Sequence, residues 1–334
     1  MRPLGLALVV SLLGNLASAQ ETHAAPSATR LDFRESPVVD LFFLSRALAA
    51  DASAEVPPAL AAAVKAAHEL NGALGGAFLA WGPVAGLLPG CDKAADVTRA
   101  FAELPETFEV RPGTSLKLRE HALALAAGME AAEPAFLADI WPAHREQIGA
   151  AHARLAEGFE PKEAACIAFH LEKLGMKDPG LSIPVYLTVH APFPGAVTYR
   201  GVGGRGVCFV SVSDAEGSQL FETVLHEATH ALDVALPGAS VLEDLRARLE
   251  KVGLGPRDAV YRDLPHTLMF VQAAESIRST VDPKHEDYGV VSRYYERAGP
   301  LADAVRGLWR DHLEGRLTRD EALDGLVEAA VAPK

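Results

Sequence analysis

Leu220-Phe-Glu-Thr-Val-Leu-His226-Glu-Ala-Thr-His230-Ala-Leu-Asp233 is the stretch that decides how this chain is read. A helix turns about 100° per residue, so with His226 at zero His230 falls near 40°, Asp233 near −20° and Thr223 near 60°. These four share one face. Leu220, Phe221, Val224, Leu225, Ala228, Ala231 and Leu232 fall between about 100° and 260°, an apolar stripe on the other side. The spacing predicts an amphipathic helix capped by Ser213 or Asp214 and running to about Ala235. Its back is buried, and two imidazoles one turn apart face a cleft.

Upstream of this helix the pattern changes twice. Leu181-Ser-Ile-Pro-Val-Tyr-Leu-Thr-Val-His190, Ala196–Arg200 and Gly206–Val212 are rich in β-branched and aromatic residues and read as a small sheet. Gly201-Val-Gly-Gly-Arg-Gly206 joins two of these strands. No helix follows its glycines and no Lys-Ser/Thr completes a Walker motif, so it reads as a hairpin turn rather than a phosphate loop. From Ser36 to about Gly180 the chain reads as almost entirely helical, over Val38–Ala50, Pro57–Ala73, Ala94–Leu104, Leu116–Ala127, Pro134–Glu157 and Pro161–Leu174. His68, His121, His144, His152 and His170 are scattered through it without a partner at ligand spacing, and each reads as a surface or internally satisfied side chain. After Val212 the chain is helical to about Val331.

The N-terminus has a three-part layout: Met1-Arg2, the apolar run Leu4–Leu13, then Ala17-Ser-Ala19. This is the pattern of a cleavable secretory signal, which places the mature protein in the periplasm or outside the cell. The apolar run is too short to span a bilayer, and no later stretch is long and apolar enough to do so. Residues 20–35 read as a flexible leader. The expected organisation is therefore a signal peptide (1–19), a leader (20–35), a helical region (36–180) and a metal-binding catalytic domain (181–334). The fold class is α+β, predominantly helical.

The chain of 334 residues carries 31 basic and 44 acidic residues, a net charge of −13. Removing Arg2 with the signal makes the balance −14. An acidic surface of this size disfavours polyanions, so nucleic acid is not an expected partner. Cys91, Cys166 and Cys208 are odd in number and widely spread, which excludes a disulfide scaffold and allows at most one bridge.

The chemistry follows from the two histidines. Zinc needs ligand nitrogens about 2.0–2.1 Å from the ion, and positions i and i+4 of a helix can converge in that way. Glu227, next to the first ligand, can take a proton from a zinc-bound water as general base and pass it to the leaving group. A catalytic zinc usually keeps a third protein ligand. Glu275 lies among apolar residues of a segment read as helical from Thr267, so its carboxylate must be paired, either by zinc or by Arg278 at i+3. His266 competes for the ligand role, but on one continuous helix it lies about 180° from Glu275. It could instead stabilise an oxyanion. Other donors in reach of the sequence are His285, Tyr288, Tyr294 and Tyr295, with Tyr288 preferred. Asp233 could orient a ligating imidazole.

His226-Glu-Ala-Thr-His230, with Glu275 in a following helix, resembles the zincin superfamily of zinc metallopeptidases and is nearest to its gluzincin branch. The resemblance covers about residues 184–290. It implies a mixed sheet packed on the active-site helix, an edge strand that aligns an extended peptide, and peptide-bond hydrolysis through zinc held by His226, His230 and Glu275. Three features depart from the pattern. The gap from His230 to Glu275 is long, Ser279 stands where many members carry Asp, and the metzincin extension is absent. The expected function is an exported zinc metallopeptidase acting on peptide or protein substrates. The alternative is a non-catalytic zinc- or peptide-binding envelope protein, and a third reading is a zinc hydrolase of a non-peptide amide.

Overall fold

The structure is a computed structural model and describes residues 28–76, 78–111, 114–192, 195–213, 217–236 and 240–332. The signal segment read at residues 1–19 lies outside these. Contacts divide the chain into two compact units that interleave in sequence. Among the described residues, one comprises 31–154 and 183–213, and the other 28–30, 155–182 and 217–332. The sequence places a single boundary near residue 180. The chain crosses more often because the strands after Ser182 join a sheet with a strand that precedes the N-terminal helices.

The first unit opens with β1 (Arg30–Glu35), followed by α1 (Pro37–Ala50), α2 (Ala61–Ala73), the single turn α3 (Gly82–Ala85) and α4 (Ala94–Ala102). A short hairpin of β2 (Phe108–Arg111) and β3 (Thr114–Leu116) precedes α5 (Leu118–Ala135) and α6 (Trp141–Gly158), whose last residues fall to the other unit. β4 (Ser182–Thr188), β5 (Ala196–Arg200) and β6 (Gly206–Ser211) complete a mixed four-stranded sheet in the order β1-β4-β6-β5. β4 runs parallel to β6, and β5 pairs antiparallel with β6 across the glycine-rich turn, which is a hairpin as its sequence suggests.

Residues 30–35 are therefore strand, where composition alone suggests the end of a flexible leader. Leu31 is buried and Phe33 is partly covered, an alternation too short to stand out until the sheet supplies a neighbour. The β2–β3 hairpin likewise falls in a region that reads as almost entirely helical, between the helical segments ending at Leu104 and starting at Leu116. α1 starts where its sequence directs: Ser36 accepts a hydrogen bond from the Val39 amide, and Pro37 occupies the first turn. Phe42 and Phe43 of α1 pack on Trp81 and Phe209 in the core. α2 and α5 approach closely at Gly128, where a Cβ would lie 2.7 Å from the Ala63 Cα. Asp40, fully buried, accepts from the Thr188 hydroxyl at 2.7 Å, the Val189 amide at 2.8 Å and a ring nitrogen of His144 at 2.5 Å, joining α1, the end of β4 and α6.

The second unit is helical among its described residues apart from the single residue it shares with each of β1 and β4. It contains α7 (Glu163–Leu174), α8 (Ser218–Ala235), α9 (Val241–Lys251), α10 (Ala259–Thr280), the single turns α11 (Tyr288–Val291) and α12 (Tyr294–Ala298), α13 (Pro300–Leu313) and α14 (Arg319–Val331). α10 is its centre, packing on α7, α8 and α13, and its residues from Leu264 to Ile277 are buried except for the partly covered His266. A buried hydrogen-bond chain fixes α7 to α8 and α10. His170 Nε2 lies 2.8 Å from Thr229 Oγ1 and Nδ1 lies 3.0 Å from Ser276 Oγ, while Gln272 links Ser276 to the Trp309 indole. Burial pushes His170 down to about 3, so the ring is neutral and satisfied.

The fold is thus α+β and mostly helical, with a small mixed sheet. The three cysteines are free and buried, so the one permitted bridge is not formed. No helix among the described residues is long and apolar enough to cross a membrane.

Candidate metal centre

The helix bearing His226 and His230 is α8. It begins at Ser218, behind Gly217 at φ 53, rather than at Ser213, and it ends at Ala235 as its pattern suggests; Asp214, the other expected cap, lies outside the described residues. The apolar stripe is buried. So are Glu222, Thr223, His226, Glu227 and Thr229, because the helix is covered on its polar side as well. The polar face therefore looks into the protein rather than onto an open surface.

α10 supplies what covers the histidines. It begins at Ala259 and continues through Pro265, so His266 sits inside the helix. The His266 ring centroid is 4.9 Å from that of His226 and 5.6 Å from that of His230, and the latter two are 5.0 Å apart. His226 Nε2 and His266 Nε2 are 3.1 Å apart, and one ring nitrogen from each of the three lies within 4.8 Å of the others. Phe270, one turn beyond His266, lies against the His226 ring at 4.0 Å, and Tyr294 packs on Phe270 at 4.5 Å. The three imidazoles thus have an aromatic wall.

Burial is the main force on their protonation. It holds His226 well below the usual imidazole range, with His266 and His230 adding repulsion; it lowers His230 to about 3 and His266 to about 4. All three are neutral at pH 7 and can offer lone pairs. His226 Nδ1 is buried with no hydrogen-bond partner among the described residues. A tetrahedral zinc with bonds of about 2.05 Å places its ligand nitrogens about 3.3 Å apart, so small side-chain rotations would bring this set to ligand geometry. Uncharged imidazole donors in a desolvated pocket fit zinc or a neighbouring divalent transition metal.

Glu227, about 100° round α8 from His226, is 5% exposed. Glu275 is not with the histidines. Its Oε1 lies 2.5 Å from Arg278 and 2.9 Å from Arg310, so the i+3 ion pair weighed against zinc is formed and a second arginine from α13 joins it. The continuity of α10 explains this: nine residues put His266 and Glu275 on opposite faces, and the fold turns the histidine to α8.

The other candidates also have defined places. Asp233 accepts from the Ser240 hydroxyl and pairs with Arg246 at 3.7 Å. Tyr288 is buried, and its amide donates to Glu222 Oε2 at 2.6 Å. His285 lies 2.7 Å from the same Glu222 oxygen and 2.9 Å from Ser218 Oγ. The buried ring of Tyr295 packs against Gly289. Tyr294 is the tyrosine at the histidines, with its hydroxyl 3.3 Å from His266 Nδ1. Glu222 itself was missed. It shares the His226 side of the wheel one turn earlier, and burial pushes its carboxyl up to about 7 against the opposing hydrogen bonds of His285 and Tyr288.

No family model matches the chain, and comparisons with curated proteins and with solved structures find no match.

Proposed function

We propose that this chain is a metal-dependent hydrolase, with zinc as the ion, peptide bonds as the first substrate class, and His226, His230 and His266 as the ligands. The observation that carries the proposal is the convergence of three neutral imidazole nitrogens within 4.8 Å, two of them in a His-Glu-x-x-His helix. Zinc, when bound, lowers the pKa of a water towards 7 and polarises a carbonyl. The chain's own residues supply the rest. Three neutral ligands would leave the positive charge of a bound ion uncancelled. Glu227 follows the first ligand and is the residue that takes the water's proton and returns it to the leaving nitrogen. Phe270 and Tyr294 keep bulk water from one side of the centre.

The resemblance to zincins is carried by Glu227 and the two helix histidines. A gluzincin would use Glu275, and the pairing of Glu275 with Arg278 and Arg310 supports a three-histidine set instead. A zinc-binding protein without catalysis would share these ligands, and the role of Glu227 separates the two readings. The test is a quenched-peptide library assay of wild type against Glu227→Gln, with zinc content measured on both. The proposal expects activity in the wild type, and a loss of at least about 100-fold in the variant with zinc retained. Equal hydrolysis by both proteins, or none by a zinc-loaded wild type, would overturn the catalytic reading.

A further inference from the structure

The tyrosine beside the histidines makes two polar contacts, and they determine where the protons lie. Tyr294 Oη is 3.1 Å from Thr267 Oγ1 and 3.3 Å from His266 Nδ1. Thr267 Oγ1 is also 2.7 Å from the carbonyl oxygen of Asp263, one turn earlier in α10. A carbonyl has no proton to give, so that contact uses the single hydroxyl proton of Thr267. Thr267 then only accepts from Tyr294, and the single proton of Tyr294 is used in turn. The remaining contact needs a proton on His266 Nδ1. A neutral ring protonated there carries its lone pair on Nε2, the atom 3.1 Å from His226 Nε2.

We propose that Tyr294 is a positioning residue: the chain from His266 Nδ1–H through Tyr294 and Thr267 to the Asp263 carbonyl fixes the tautomer of His266 and turns its Nε2 lone pair to the space shared with His226 and His230. The metal-ligand consequence rests on the function proposed above, whereas the tautomer does not. The backbone holds Tyr294 at this spot by an unusual means. Arg293, directly before it, has φ 57 and is the only non-glycine residue with positive φ among those described. A side chain in the left-handed region is strained, and here it starts the single turn α12 with the Tyr294 ring tilted by 31° against Phe270 and nearly perpendicular to the His266 ring. Both polar contacts of the hydroxyl are thereby engaged, which makes it an orienting group for His266 rather than a donor to substrate.

The test uses Tyr294→Phe, which keeps the ring on Phe270 and removes only the hydroxyl, and Thr267→Val, which removes the acceptor that directs the tyrosine proton. Nitrogen-15 NMR of the metal-free full chain reads the histidine tautomers, and competition with a chelator reads the affinity for zinc alone. Wild type should show His266 protonated at Nδ1. Both variants should lose that single tautomer and bind zinc about 10–100-fold more weakly, with circular dichroism unchanged. An unchanged His266 tautomer in Tyr294→Phe overturns the proposal, as does unchanged zinc affinity in a protein that binds zinc. A wild type with no zinc affinity removes the metal reading, and the tautomer comparison still decides the relay.

Discussion

Replacing His266 by Ala and, separately, Glu275 by Ala distinguishes the two candidates for third ligand on one helix. Nine residues of α10 span about 13.5 Å along its axis, whereas two donors of one zinc ion lie within about 4 Å of each other, so α10 can offer one of them and not both. A four-ligand structural zinc site gains about 10–16 kcal/mol, or about 3 kcal/mol per ligand, which is on the order of 100-fold in affinity. His266→Ala should weaken zinc binding by about that factor while leaving the helical signal intact. Glu275→Ala should act on stability instead. It leaves Arg278 with Asp287 as a partner, and Arg310 with a side chain 44% exposed, so about 1–2 kcal/mol is the expected cost. Chelator competition gives the affinities, and thermal unfolding of the metal-free proteins gives the stabilities. Loss of zinc in Glu275→Ala with retention in His266→Ala would mean that Glu275, not His266, is the third ligand.

Two further outcomes probe each unit in turn. Glu222 is raised by burial to about 7 from a usual value of 4.5, so the native state holds a proton that the unfolded chain releases between those values. The stabilising contribution is complete below pH 4.5 and is lost as pH rises to about 7, by about 3 kcal/mol; the buried histidines, held low, give both proteins an opposite slope, so urea titrations should show the Glu222 loss as the difference between wild type and Glu222→Gln. If the two proteins have parallel pH profiles, Glu222 does not titrate as described. Gly128→Ala places a Cβ 2.7 Å from the α2 backbone and should lower stability by about 1–3 kcal/mol, seen as a fall in melting temperature; an unchanged melting temperature would mean that α2 and α5 are not so closely packed.

Much of the site was legible in the sequence because its main part is local. The i, i+4 spacing of His226 and His230, the apolar back of α8 and the glycine hairpin between β5 and β6 all depend on neighbours within a few residues. The third histidine is harder to place because the sequence reads as helix only from Thr267, which leaves His266 outside it. In the structure the helix starts at Ala259 and runs through the proline, which carries His266 onto the same helix as Glu275 and opposite to it. Burial of Glu275 was foreseen, but it could not by itself distinguish zinc from arginine, and Arg310, 35 residues away, has no local signal. Glu222 is similar, since its partner His285 is 63 residues distant. β1 was lost for a related reason: six residues with weak alternation mean little until β4 pairs with them.

The claim that α8 and α10 share one metal ion is tested most directly by metal analysis of the full chain purified without chelator. The full chain should carry about one equivalent of zinc and lose it when His226 and His230 are both replaced by Ala. Less than about half an equivalent in the wild type after zinc loading, or the same content in the double variant, would contradict it.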